Sequence, residues 1–168
     1  MANLSGINLA MQTPFDADGS INYSVFETLI DQYIDAGVHG LVLGAGTGQH
    51  PYLSEAECNQ LYEVGAKRIN RRCNLICQTS ALNGEEMIRR SKHAESIGAD
   101  GLMVLPPYFE GPTDDDGIVS FYADVARAGL PVIGYNVPQA VGVEITPALY
   151  QRLAAIDGFC TVKDRSEE

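Results

Sequence analysis

Basic residues are scarce in this chain of 168 residues: 11 Lys and Arg stand against 22 Asp and Glu, for a formal net charge of -11. That balance argues against nucleic acid and against an anionic membrane surface as partners. It leaves room for a small anionic ligand held by local dipoles. Long apolar runs are missing too. No segment approaches the ~18 apolar residues of a membrane span. Met1 to Gly6 has neither the basic residues nor the apolar stretch of a signal peptide, so a cytoplasmic protein is expected. Histidine is rare. His39, His50 and His93 show no metal-ligand spacing, so surface or capping roles are expected of them, and neither metal nor cofactor. Cysteine is limited to Cys58, Cys73, Cys77 and Cys160. Cys73 and Cys77 share an expected strand and would lie about 13 Å apart along it, too far to bridge. Reduced thiols in a cytosolic core are the expectation.

What remains is the composition of a soluble globular domain, 45% hydrophobic and 20% charged. Apolar strand candidates begin near Ile7, Gly40, Cys73, Gly101, Pro131 and Gly158, at spacings of 33, 33, 28, 30 and 27 residues. That period fits one strand followed by one helix. Two units look alike: Gly37-Val38-His39-Gly40-Leu41 and Gly98-Ala99-Asp100-Gly101-Leu102.

Five helices are signalled between the strands. The first runs from about Tyr23 to Ala36. Ser54 and Glu57 form a capping box for the second. Asn83 caps the third, Thr113 the fourth, and Thr146-Pro147 opens the fifth. Asp114-Asp115-Asp116 reads as a solvated helix start rather than a metal site.

Alternating units of this kind give an α/β fold with a parallel sheet. Two architectures compete. One is an open doubly wound sheet, complete at this length. The other is a (β/α)8 TIM barrel, which needs about 250 residues and is cut here after strand six. The sequence closes on a strand, with Ser166-Glu167-Glu168 resembling a helix start, which favours the barrel. Residues 1–168 are then expected to be its first six strands and five helices, as part of a single domain.

In either architecture chemistry gathers at the C-terminal ends of the strands. Those ends read Thr13-Pro14, Gly46-Thr47-Gly48-Gln49, Thr79-Ser80, Pro107-Tyr108-Phe109, Tyr135-Asn136 and Lys163. They hold neither a carboxylate pair nor a histidine. Gly44 to Gly48 can aim backbone N–H groups at an anion or can be a purely structural turn. Lys163 ends Gly158-Phe159-Cys160-Thr161-Val162, which reads as a buried strand. It can be a snorkelling surface lysine, or an amine whose desolvation frees it as a nucleophile. Tyr135, at the preceding strand end, is the proton shuttle such a nucleophile needs.

These motifs resemble the dihydrodipicolinate synthase/N-acetylneuraminate lyase family of Schiff-base, pyruvate-dependent aldolases and dehydratases. The matching stretches are Thr13-Pro14-Phe15, Gly46-Thr47-Gly48 with Leu53-Ser54, Pro107-Tyr108-Phe109, Tyr135-Asn136-Val137-Pro138 and Val162-Lys163-Asp164. The resemblance covers the whole chain. It implies a (β/α)8 barrel with a C-terminal helical extension, assembled as a homotetramer of tight dimers. It implies that Lys163 forms an imine with pyruvate or a 2-keto acid and that Tyr135 moves protons. Thr47 would hold the Tyr135 hydroxyl, and Gly46, Thr47 and Gly48 would bind the substrate carboxylate.

There are departures from the family pattern. Gly46 lacks a hydroxyl common in the family, and Gln49 replaces an acidic residue. Phe109 replaces a tyrosine lent across the dimer, with Tyr108 expected to point elsewhere. Gln139-Ala140 replace an arginine that binds the second substrate. They count against dihydrodipicolinate synthase itself and leave other 2-keto acid lyases open. They also motivate a second reading, a keto-acid or sugar-acid binding relative whose relay has decayed. A third expectation concerns the chain alone: an open six-stranded part-barrel exposes two strand edges and should associate.

Overall fold

A computed structural model describes residues 3–109, 111 and 114–166. Six strands alternate with helices: β1 Asn8–Ala10, α1 Tyr23–Asp35, β2 Gly40–Leu43, α2 Glu55–Ile69, β3 Asn74–Gln78, α3 Gly84–Ser96, β4 Gly101–Val104, α4 Asp115–Ala126, β5 Val132–Asn136, α5 Pro138–Val141, α6 Pro147–Leu153 and β6 Phe159–Asp164. A 3-10 turn, His50–Tyr52, precedes α2. The strand starts fall within one residue of the sequence reading. The four-residue α5, opened by Pro138, adds one helix to the five expected. Thr113 lies outside the described residues; the cap of α4 is Asp114, whose side chain accepts the Gly117 N–H at 2.8 Å.

The six strands are parallel and lie in the order β1-β2-β3-β4-β5-β6. A doubly wound sheet reverses its strand order part-way. This one never does, so the architecture is the first six strands of a (β/α)8 TIM barrel, a half-barrel. Among the described residues β1 and β6 each pair with one strand only.

Two apolar layers hold the sheet. The larger lies between sheet and helices and includes Phe26, Leu43, Leu61, Tyr62, Tyr122 and Phe159. The smaller lines the barrel interior: Val42, Ala45, Ile76, Met103 and Ile133, with Leu4, Ala10 and Tyr135 beside them. The repeated Gly-Leu starts of β2 and β4 have a packing reason. A Cβ on Gly40 would stand 2.2 Å from Asn8 Oδ1, and one on Gly101 would stand 3.0 Å from Leu4 Cδ1. The N-terminal segment plugs the interior there. Asn8 Nδ2 donates to the Leu4 carbonyl at 2.8 Å, and Asn74 Nδ2 to that of Asn3 at 2.7 Å.

Helix ends follow the sequence signals. Ser54 and Glu57 form the reciprocal capping box, with Ser54 N–H donating to Glu57 Oε2 at 2.8 Å; such a cap is worth ~1 kcal/mol. Asn83 and Thr146 cap α3 and α6.

One feature of β6 was not legible. Val132 pairs with Phe159, but Ile133 pairs with Thr161, so Cys160 is an extra residue in the ladder. Val132 and Phe159 face the helices, whereas Ile133 and Tyr135 face the interior. A one-residue slip exchanges the faces of every later side chain. The bulge therefore puts Thr161 and Lys163 on the inner face, opposite Ile133 and Tyr135. Simple alternation from Phe159 would have turned Lys163 outward. Nor is β6 the buried strand expected: Phe159 alone is buried, because β6 is an edge.

Candidate active site

The bulge and the parallel register bring Lys163 and Tyr135 side by side. They are direct ladder partners, and the lysine Nζ lies 4.4 Å from the centre of the tyrosine ring. Lys163 is half-buried. Burial lowers its pKa below the ordinary lysine value, and repulsion from Arg165 adds to this. The ring face attracts the ammonium and pulls the other way. Below the lysine, a cavity of about 260 Å³ runs down the barrel interior past Val42, Ile76, Met103 and Ile133.

A clamp fixes the strand ends around this pair. Asn136 is buried. Its Oδ1 accepts the Ile145 N–H at 2.8 Å and its Nδ2 donates to Asp164 Oδ1 at 2.9 Å. The Asn136 carbonyl accepts the Arg165 N–H at 2.8 Å. The two residues after Lys163 are thus tied to the residue after Tyr135.

The glycine turn is pinned differently. Thr13 Oγ1 donates to the Gly48 carbonyl at 2.7 Å. A Cβ on Gly48 would stand 2.9 Å from the Met11 carbonyl oxygen and 3.2 Å from Thr13 Oγ1, so the turn accepts no side chain there. Gly46 and Thr47 are exposed. Gly46 lines the same pocket as Tyr135. Thr47 does not, and no hydrogen bond joins it to Tyr135 among the described residues.

That pocket, about 220 Å³ at the mouth of the half-barrel, is lined by Gly46, His50, Gln78, Leu105, Tyr108 and Tyr135, with the α5 segment closing one side. Three of these were missed or misplaced by the sequence reading. Tyr108, expected to point elsewhere, faces the pocket; burial raises its pKa. His50, expected at the surface or as a cap, is buried at the rim. Its Nε2 lies 2.7 Å from the Ser80 carbonyl and its Nδ1 4.0 Å from Cys58 Sγ. A carbonyl only accepts, so Nε2 carries the proton and Nδ1 is left to accept from the thiol. Burial, then the Arg90 charge, lowers the His50 pKa and favours the neutral ring. Behind it Arg90 donates to Cys58 Sγ at 3.4 Å and to Glu86 Oε1 at 2.5 Å. The third is Gln78, the inward residue after Ile76 in β3. No group of three or more potential metal ligands occurs among the described residues. No helix among them is long and apolar enough to cross a membrane. All four cysteines are free thiols.

A family model, that of the dihydrodipicolinate synthetase family, matches residues 3–168. The chain belongs to that family. Among its relatives, the 4-hydroxy-tetrahydrodipicolinate synthase of Syntrophobacter fumaroxidans is 35% identical over 160 residues, covering 95% of this chain and 54% of the relative. That of Bacillus subtilis is 34% identical over 165 residues, 98% of this chain and 57% of the relative. Among solved structures, a prophage protein of the dihydrodipicolinic acid synthase family from E. coli K12, in complex with pyruvate, superposes with a TM-score of 0.94. Its identity is 31%, over 99% of this chain and 56% of its own. The chain thus spans about half the length of the curated relatives it matches. Family membership makes it kin to lyase and synthase enzymes.

Proposed function

We propose that the full-length protein is a class I lyase, an aldolase or dehydratase, acting on pyruvate or another 2-keto acid through a Lys163 imine. The observation that carries this is the Lys163–Tyr135 pair: an amine half-buried on the inner face of the barrel, 4.4 Å from the ring of a phenol. Burial favours the neutral amine, the form that attacks a ketone. The pyruvate complex of the E. coli relative supports a small keto acid as substrate.

The steps balance as follows. The amine adds to the keto carbon to give a carbinolamine, which loses water to become the imine. The imine then takes up the electron pair released at the adjacent carbon, when that carbon loses a proton or an aldehyde. Tyr135 carries the protons these steps exchange. The N–H groups of Gly46, Thr47 and Gly48 hold the substrate carboxylate, and the Thr47 hydroxyl orients Tyr135 when substrate is bound. Charge-assisted contacts of this kind fix the keto group for attack.

The names of the curated relatives weigh towards a synthase. Gly46, Phe109 and Gln139-Ala140 weigh towards a different 2-keto acid lyase, and that is the reading adopted. The full-length protein would work in the cytoplasm as a homo-oligomer, a dimer of dimers.

A second reading, a binding protein for keto acids or sugar acids, is favoured by the exposed Thr47 and its missing bond to Tyr135. Turnover of 2-keto-3-deoxy sugar acids separates the two. An aldolase releases pyruvate and a dehydratase releases water and a dehydrated keto acid, and either turnover is lost with Lys163→Ala. Ligand binding without turnover, unchanged by Lys163→Ala, supports the binder.

A further inference from the structure

Gln78 is the most unusual group in the mouth pocket. It is 1% exposed, yet it carries a carboxamide into a barrel interior that is otherwise apolar at Val42, Ile76, Met103 and Ile133. Its orientation is set by a short chain of bonds. The Leu105 N–H donates to Ser80 Oγ at 2.7 Å, so the Ser80 hydroxyl hydrogen is free to donate onward to Gln78 Oε1 at 3.1 Å. The amide oxygen is thereby occupied and the NH2 is turned away from Ser80. Among the described residues Nε2 donates to no partner. It is not one of the fully enclosed unpartnered atoms, and Gln78 lines the 220 Å³ pocket shared with Tyr135. Two donors thus open onto a pocket beside the proposed chemistry. A ligand oxygen placed there can accept from donors that the described residues leave unpaired.

The rest of the lining says which oxygen. Among the described residues no lysine, arginine, aspartate or glutamate lines this pocket. Arg90 lies behind it, held by Glu86 and Cys58. Both ring nitrogens of His50 are already engaged. Beyond Gly46, whose N–H is assigned to the keto-acid carboxylate, the polar groups left are the Gln78 NH2 and the hydroxyls of Tyr108 and Tyr135, set among Leu105, Val137 and Val141. A second ionised carboxylate would enter without a counter-ion, which is costly away from water. An uncharged hydroxyl oxygen suits these donors. The volume equals about seven liquid waters at ~30 Å³ each, enough for a short hydroxylated chain.

We propose that Gln78 is a specificity-determining residue whose Nε2 donates to a hydroxyl oxygen on the uncharged, aldehyde-derived part of the substrate. This rests on the Lys163 imine reading and adds to it which partner the imine accepts. It selects a hydroxylated aldehyde over an unhydroxylated one, because a site built to pair a hydroxyl leaves its own donors unpaired with the analogue.

The test uses the full-length protein with pyruvate and either glyceraldehyde or propanal, comparing kcat/KM for aldol addition. Wild type is expected to prefer glyceraldehyde. Gln78→Leu is expected to lower that preference tenfold or more, mainly through the KM for glyceraldehyde, while borohydride still traps pyruvate on Lys163. Should the leucine variant fail to fold, Gln78→Met keeps the length, loses the donors, and makes the same comparison. An unchanged preference in a folded variant that still traps pyruvate overturns the proposal and leaves the imine reading standing. Absence of trapping on Lys163 in wild type overturns both.

Discussion

Lys163 is the ladder partner of Tyr135, and its Nζ rests 4.4 Å from the centre of that ring only because Cys160 stands outside the β5–β6 pairing. The bulge, not the lysine's place in the sequence, decides which face the amine takes. Deleting Cys160 takes out the extra residue and leaves Phe159 and Thr161 in plain alternation, so Lys163 is expected to stay opposite Tyr135. Trapping of pyruvate by borohydride should then persist, as it should in Cys160→Ala. Loss of trapping in a folded deletion variant would contradict this reading of the ladder.

The lowered pKa of Lys163 has a definite sign. Its folded value lies below the unfolded one, so wherever the folded group carries its charge the burial of that charge opposes folding. That opposition is relieved as pH rises through the folded pKa towards the unfolded value. Lys163→Met should therefore raise the melting temperature at pH 7, by an amount that shrinks in alkaline buffer. The rate of imine trapping should rise with pH to a midpoint below the ordinary lysine value. Arg165 is a lesser cause of the shift, so Arg165→Gln should move that midpoint upward. A profile with an unshifted lysine midpoint would count against a desolvated amine.

The two glycines of the turn should respond oppositely. Gly48→Ala places a Cβ 2.9 Å from a backbone oxygen and should cost about 1–3 kcal/mol, as overpacking does, in urea denaturation. Gly46 has nothing within 4 Å of a built Cβ. Gly46→Thr should leave stability within about 0.5 kcal/mol and speed imine formation, by restoring a hydroxyl beside Thr47. Equal destabilisation by both would show that the turn is packed differently.

Glu86 offsets the buried charge of Arg90, whose side chain is 6% exposed. Glu86→Gln weakens that pairing and should destabilise the fold by about 1–3 kcal/mol, the scale of hydrogen bonds to charged groups. Thermal or urea unfolding reads the difference. A neutral result would mean that Cys58 suffices to hold the guanidinium.

Residues 1–168 expressed alone should associate. β1 and β6 each present an unpaired edge among the described residues, and the interior faces of Val42, Ile76, Met103 and Ile133 meet an open cavity. Such edges template pairing with other chains. Size-exclusion chromatography of a monodisperse, cooperatively melting monomer would refute this.

The barrel was legible because its signals are local. Apolar runs opened by Gly40 and Gly101, and caps such as Ser54, Asn83 and Thr146, each need only a few neighbours in sequence. What escaped depends on contacts across the sheet. A bulge leaves no mark in composition, so Cys160 looked like an ordinary strand residue and β6 like a buried strand. His50 was read by its spacing to other histidines, yet its place is set by Ser80 and Cys58, 30 and 8 residues away. Gln78 did leave a signal, a polar residue two positions after inward-facing Ile76, and period-two reading of β3 could have found it. Tyr108 was judged by its neighbour Phe109, whose backbone turns left-handed at φ 66°, a break the sequence does not show.

The central claim is that Lys163 condenses with a ketone. Treating the full-length protein with pyruvate and borohydride, then mapping the modified peptide by mass spectrometry, tests it most directly. The account predicts a stable increment of one pyruvate less one oxygen on Lys163, absent from Lys163→Ala and much reduced in Tyr135→Phe. Folded protein that acquires no adduct, or acquires it on another lysine, would contradict the account.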